Sequence, residues 1–125
     1  MSDLTDLDRH RYMSLATFRG NGTEVATPVW FAAAEGRLYV VTAGESGKVK
    51  RLRRSSRVRM APSDVHGRVR GEWHEGSARI LTEPHAIDGA RAVLRAKYGW
   101  QVWLADVLSR ITGRIHHRAW IEIRP

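Results

Sequence analysis

From Tyr12 to about Thr82 apolar residues mostly alternate with polar ones, and turn residues recur at short intervals. A two-residue period buries one face of an extended strand and cannot line one side of a helix. Strands this closely spaced must pair antiparallel, because a parallel neighbour needs a crossover of a dozen or more residues. Met13, Leu15 and Thr17 alternate with Tyr12, Ser14, Ala16 and Phe18, after which Gly20-Asn21-Gly22 makes a turn that tolerates positive φ. Glu24 to Ala33 resumes as a strand, Glu35-Gly36 turns the chain, and Leu38 to Thr42 is rich in β-branched and aromatic residues. Val58 to Pro62 reads as a fourth strand and Asp64 to Gly67 as a loop. Val69 to Leu81 reads as a longer fifth strand, bent at Gly71 or Gly76.

The period changes to 3.6 at Pro84. Ile87, Ala90, Val93, Leu94 and Tyr98 form one helical stripe that Gly99 stops, and Trp100, Trp103, Leu104, Val107, Leu108 and Ile111 form a second that ends at Gly113. Ala119 to Ile123 alternates again as a closing strand. With Ser46 to Arg54 as a short inserted helix, the expected fold is mainly β: a six-stranded antiparallel barrel with two further helices in the C-terminal half.

A length of 125 residues, 42% hydrophobic and 27% charged, is that of one globular domain, and no linker, repeat or low-complexity tract divides it. A single domain over residues 1–125 is therefore expected. So small a unit buries only about two thirds of its unfolded surface. Five Trp residues are generous for it, and part of that apolar area suits a second subunit. Cysteine is absent, no apolar run approaches the roughly 20 residues that span a bilayer, and no apolar segment follows the first residues. The expectation is a soluble, cytoplasmic protein without disulfides or thiolate metal sites.

The net charge of +8 favours anionic partners. Seven Lys or Arg and one Glu occupy the sixteen positions from Glu45 to Met60, which raises two readings: a nucleic-acid surface or a seat for one phosphorylated ligand. At 100° per residue Val49 and Leu52 define the inward face of the short helix. Lys48 and Arg51 then share one flank, Lys50 and Arg53 the other, and Arg54 points away from the core. A helix N-terminus offers unpaired N–H groups and the positive end of a dipole, so a phosphate fits there with Ser46 donating and Lys48 neutralising. The plainer alternative is that Ser46 caps the helix and the cations keep it soluble. Neither a helix-turn-helix nor an RNA-binding aromatic pattern accompanies the charge, so nucleic acid is not the expected partner.

Pro28 lies inside what otherwise reads as a strand, where it has no N–H to give a ladder. Either that stretch is a protected edge, or its backbone faces something other than a strand, such as a planar ligand. No nucleophile motif or spaced carboxylate pair is evident. His116 and His117 adjoin a strand and would face opposite sides, while His66 and His74 flank a hairpin without zinc-protease spacing, so no metal site is expected.

The order of these features, T-P-V-W-F at Thr27 to Phe31, then a strand, then S-x-K-x-x-R-L at Ser46 to Leu52, resembles the pyridoxamine 5'-phosphate oxidase-like split β-barrel family (the FMN-binding split barrel type). In particular it resembles that family's probable coenzyme F420-dependent oxidoreductases. The likeness is close over Tyr12 to Leu81, and AKYGWQVWLADVLSRITG is similar to one actinobacterial subgroup. It implies a homodimer with cofactor sites at the subunit interface. It also implies phosphate contacts from Ser46, Lys48 and Arg51 with Thr42 nearby, and ring contacts from Thr27, Pro28 and Val29. Trp73 and the C-terminal region are the candidates for what a second subunit adds. The implied activity is hydride transfer between F420 and a small conjugated or planar substrate, with FMN chemistry or a non-catalytic carrier as alternatives. Because F420 carries a phosphodiester and a polyglutamate tail, Arg53, Arg54, Arg57 and Arg59 form a candidate track for that tail.

Overall fold

The structure is a computed structural model, and it describes residues 7–43, 47–99 and 118–125. Six strands, β1 (Tyr12–Phe18), β2 (Glu24–Ala34), β3 (Arg37–Ala43), β4 (Arg57–Ser63), β5 (His74–Ile80) and β6 (Arg118–Arg124), close into an antiparallel barrel in the order β1-β2-β3-β6-β5-β4. Helix α1 (Gly47–Arg54) is inserted between β3 and β4, and α2 (Pro84–Tyr98) between β5 and β6. The second stripe, Trp100 to Ile111, and with it the second of the two expected C-terminal-half helices, lies outside the described residues.

The inward residues of the alternating pattern fill the barrel. Met13, Leu15, Phe31, Leu38, Val40, Val58, Met60, Ile121 and Ile123 are all buried in one cluster, and each large side chain so enclosed contributes about 1.5–3 kcal/mol. A second layer forms outside the barrel, where Ala90, Leu94 and Tyr98 of α2 meet Ala32, Trp120 and the half-buried Trp30, Tyr39 and Val41. Trp30 stacks on Tyr98 with ring centroids 4.9 Å apart, so it serves this outer core. The helix stops where its stripe does: Gly99 takes a φ of 61° and donates its N–H to the Arg95 carbonyl.

The fifth strand differs from expectation. Val69 makes one isolated bridge to Ser63, and regular pairing begins only at His74. The intervening loop is tied down locally, with Asp64 Oδ1 accepting from the His66 and Arg68 N–H groups. Pro62 then packs so closely on Gly71 that a Cβ there would lie 2.7 Å from its ring. Gly76 is a close approach within β5, where a Cβ would lie 2.8 Å from the Arg124 carbonyl oxygen.

Candidate functional site

β2 changes partners halfway along. Residues Glu24 to Val29 pair with β1, whereas pairing with β3 starts only at Trp30↔Val41 and runs on to Ala34↔Arg37. Beyond Val41, the Thr42 and Ala43 positions of β3 pair with Ala119 and Arg118 of β6 and with nothing on β2. A split therefore opens between the first half of β2 and the end of β3, at the point where the chain leaves for α1.

On β2, Val29 and Phe31 are buried in the barrel core, which sets Val25 and Thr27 on the same inward face. Ala26 and Pro28 face outward and are exposed. Thr27 Oγ1 is buried and has no hydrogen-bond partner among the described residues. Such an orphaned hydroxyl is costly unless something else satisfies it. Thr42 shares the inward parity of the core residues Leu38 and Val40 and is half-buried. Thr27 and Thr42 thus lie inward on the two strands that flank the split.

Helix α1 begins three residues after β3. Val49 and Leu52 are its buried positions, as the wheel requires, and five of its eight residues are Lys or Arg with no acid in the first turn. Arg51 folds back toward the barrel: its Nε donates to Thr17 Oγ1, a fully buried hydroxyl of β1, at 2.5 Å. Its guanidinium also lies against the first turn, since a Cβ on Gly47 would be 2.6 Å from Nη1. Burial, and then the Arg51 charge, hold the Lys48 ammonium below its ordinary pKa. Burial, and then the Arg19 charge, do the same to Arg51. Beside these groups a cavity of about 550 Å³ is lined by Arg19, Gly20, Lys50, Arg51, Arg53 and Arg54. A bound anion would relieve this mutual repulsion.

Of the seven expected site residues, the structure brings Thr27, Thr42, Lys48 and Arg51 to the split and its adjoining helix. Val29 is a buried core residue paired with Met13 of β1, which leaves neither its side chain nor its backbone facing the split, and the outward Pro28 side chain sits by the 64–67 loop, with its Cδ 3.4 Å from where a Gly67 Cβ would be. Ser46 lies outside the described residues. Arg19 and Lys50 were missed as cavity residues; the sequence hint was the neighbouring Gly20-Asn21-Gly22 turn, which presents Arg19 toward whatever packs on the hairpin.

The four-arginine track is a correction, because half of it is already occupied. Arg57 pairs with Glu75 at 3.0 Å and lies over the Phe18 ring. Arg59 contacts both oxygens of Glu24 at 3.0 Å and lies over Trp73, so Trp73 is engaged within its own chain. Arg53 and Arg54 remain without a carboxylate among the described residues. On β6, the buried Glu122 gathers Arg37, Arg79 and Arg124 at 3.3–3.6 Å.

At the opposite end of β1, one side chain stands in for a missing strand. The Tyr98 hydroxyl accepts from the Phe31 N–H at 3.0 Å and donates toward the Arg11 and Phe31 carbonyls at 2.6 and 2.7 Å, where β1 has not yet begun. Burial pushes this phenol well above its ordinary pKa, so it stays a donor. Beside it Lys97 Nζ pairs with Asp8 Oδ1 at 3.0 Å and lies 3.7 Å from the Phe31 ring centre. The described residues hold no group of three or more His, Asp or Glu placed to bind a metal.

The chain matches the pyridoxamine 5'-phosphate oxidase family over residues 4–125. No curated protein matches it. Among solved structures, the heme storage protein of Vibrio cholerae is 12% identical with a TM-score of 0.73, the alignment covering 98% of this chain and 87% of that one. An F420 reductase is 19% identical with a TM-score of 0.61, covering 99% and 91% of the two chains. An FAD-binding protein from Mesorhizobium loti is 20% identical with a TM-score of 0.61, covering 98% and 84%. At these identities the likeness concerns the fold. The family match spans nearly the whole sequence, and the chain is a member of the pyridoxamine 5'-phosphate oxidase family.

Proposed function

We propose that this protein is an F420-dependent oxidoreductase that passes a hydride between the deazaflavin and a small conjugated or planar substrate. The observation that carries this reading is the surplus of cations at α1. Lys48 and Arg51 account for one phosphate, while Arg19, Lys50, Arg53 and Arg54 have no carboxylate partner among the described residues and three of them belong to the helix itself. FMN needs one phosphate seat; a cofactor that continues into a carboxylate-rich tail uses the rest.

The residues present fit such a group. Thr27 Oγ1 is a buried hydroxyl with no partner among the described residues, suited to the polar edge of a ring, and Lys48 is a half-buried cation beside Arg51 that an anion would neutralise. In this reading Ser46, Lys48 and Arg51 hold the phosphate with Thr42 beside them. The Thr27 hydroxyl and the Pro28 carbonyl address the ring edge, and the revised tail track runs over Arg19, Lys50, Arg53 and Arg54. The cofactor supplies the hydride chemistry itself. The protein binds and orients it.

A homodimer that completes the site belongs to the same proposal. Val65 and Val69 are 52% and 43% exposed on either side of Gly67, whose backbone meets the outward Pro28, and these apolar residues suit a second copy. No described helix is long and apolar enough to cross a membrane. A cytoplasmic location and a small-molecule substrate belong to the same proposal.

Titration of the purified protein with F420 and separately with FMN, followed by cofactor fluorescence, tests the reading. Micromolar or tighter F420 binding without FMN binding supports it. FMN binding alone would replace it with a flavin oxidase or reductase on the same barrel, and F420 binding without turnover of any planar acceptor would leave a carrier.

A further inference from the structure

We propose that Pro28 holds the split open by deleting the next rung of the β2–β3 ladder, and that it is a positioning residue whose side chain need not touch the ligand. The assignment of the split as a ligand cleft rests on the proposed function; the wedge itself rests on register.

Backbone N–H and C=O groups of successive strand residues point alternately to the two edges. The Phe31 N–H and C=O both address the Tyr98 hydroxyl on the β1 side, and β2 keeps an unbroken register with β1 and β3. By alternation Thr27 and Val29 also face β1, while Ala26, Pro28 and Trp30 present their polar groups to the β3 side. Trp30↔Val41 is then a hydrogen-bonded pair. Continuing the register places Val29 opposite Thr42 and Pro28 opposite Ala43. The next pair due to exchange both bonds is therefore Pro28 with Ala43, and it requires an N–H that proline lacks.

Pairing with β3 ends at that rung, and Ala43 is found on β6 opposite Arg118. By the same parity the Ala43 N–H faces β2 and takes no part in the β6 ladder. Upstream of the block, the Ala26 N–H and C=O and the Pro28 C=O are left facing the split. These backbone groups, one donor and two acceptors without a partner among the described residues, are what a planar ligand with a polar edge would pair with, and a zipped ladder would consume them.

The test is Pro28→Ala, a change at an exposed position that leaves the core intact. Amide hydrogen exchange reads the wedge without any ligand, and the fluorescence titrations with F420 and FMN read its consequence. The new amide at position 28 is expected to exchange at least about tenfold more slowly than an open-edge amide, and affinity for whichever cofactor binds the native protein is expected to fall about fivefold, the equivalent of one net hydrogen bond. Adding Ala43→Pro denies the same rung from the other strand without cost to the β6 ladder, so the double variant is expected to recover affinity. An unprotected amide at position 28 would overturn the wedge. A protected amide with undiminished affinity would leave the wedge standing and overturn the placement of the cofactor in the split. Loss of affinity that Ala43→Pro fails to restore would overturn the positioning role and mean that the proline ring itself contacts the ligand.

Discussion

Glu122 on β6 and the helix α1 both gather arginines, yet in opposite electrostatic states. Around Glu122, whose side chain is only 5% exposed, Arg37, Arg79 and Arg124 converge on one carboxylate while keeping much of their own surface in water. Burial alone would raise the Glu122 carboxyl, but hydrogen bonds from Arg79 and Arg124 and the charges of Arg79 and Arg37 hold it below the usual range. On α1 the cations face one another, and Lys48 is depressed by burial and by Arg51 with no acid in the helix to answer it. A satisfied cluster of this kind serves the fold. An unsatisfied one costs stability in the free protein, and under the proposed function the cofactor completes it.

The largest effect expected from this contrast is on the satisfied side. Glu122→Ala leaves three arginines around a hole in the barrel wall and should lower stability by about 2–3 kcal/mol in denaturant titrations, below the full cost of breaking a buried pair because the arginines can turn to solvent. A loss under about 0.5 kcal/mol would show that the cluster is ornamental.

Because the folded pKa of Glu122 lies below its unfolded value, its contribution is fully present above the ordinary Glu range near pH 4.3 and fades as pH falls through the lower folded value. Melting temperatures of the native protein should therefore drop more steeply below about pH 4 than those of Glu122→Gln. Identical slopes would remove Glu122 as a source of acid sensitivity.

On the unsatisfied side, Lys48→Met keeps the apolar stem and removes the charge. It should weaken F420 or FMN binding about tenfold or more while leaving thermal stability unchanged or slightly raised. A stability loss with intact binding would make Lys48 a structural residue and erase the distinction between the two regions.

Smallest is Arg54→Ala, expected to cost no more than about threefold in F420 affinity and to flatten its dependence on salt. Losses equal to those of Lys48→Met would mean that α1 acts as a diffuse positive field with no ordered seat.

Much of this was legible along the chain. Alternation located five of the six strands to within about a residue, and the stripe from Ile87 to Tyr98 marked one helix with Gly99 as its stop. The overlong fifth strand failed because its first residues alternate like a strand, while Asp64 caps the local turn and Pro62 packs on Gly71, contacts that no period records. The candidate site was legible in part: Lys48 was placed on the helix flank, but Arg57 and Arg59 read the same as Arg53 and Arg54. Their partners Glu75 on β5 and Glu24 on β2 come from other strands, so only the order and register of the barrel could reveal that they are engaged.

What the sequence determined by itself is local: the two-residue and 3.6-residue periods, the turn and stop residues, and the positive charge of α1, because each depends on neighbours within a turn or a strand. The tertiary structure decided which cations are paired, where Tyr98 stands in for a strand, and where β2 parts from β3. Those follow from register between distant segments, which sets which backbone and side-chain groups meet and which are left for something else to satisfy.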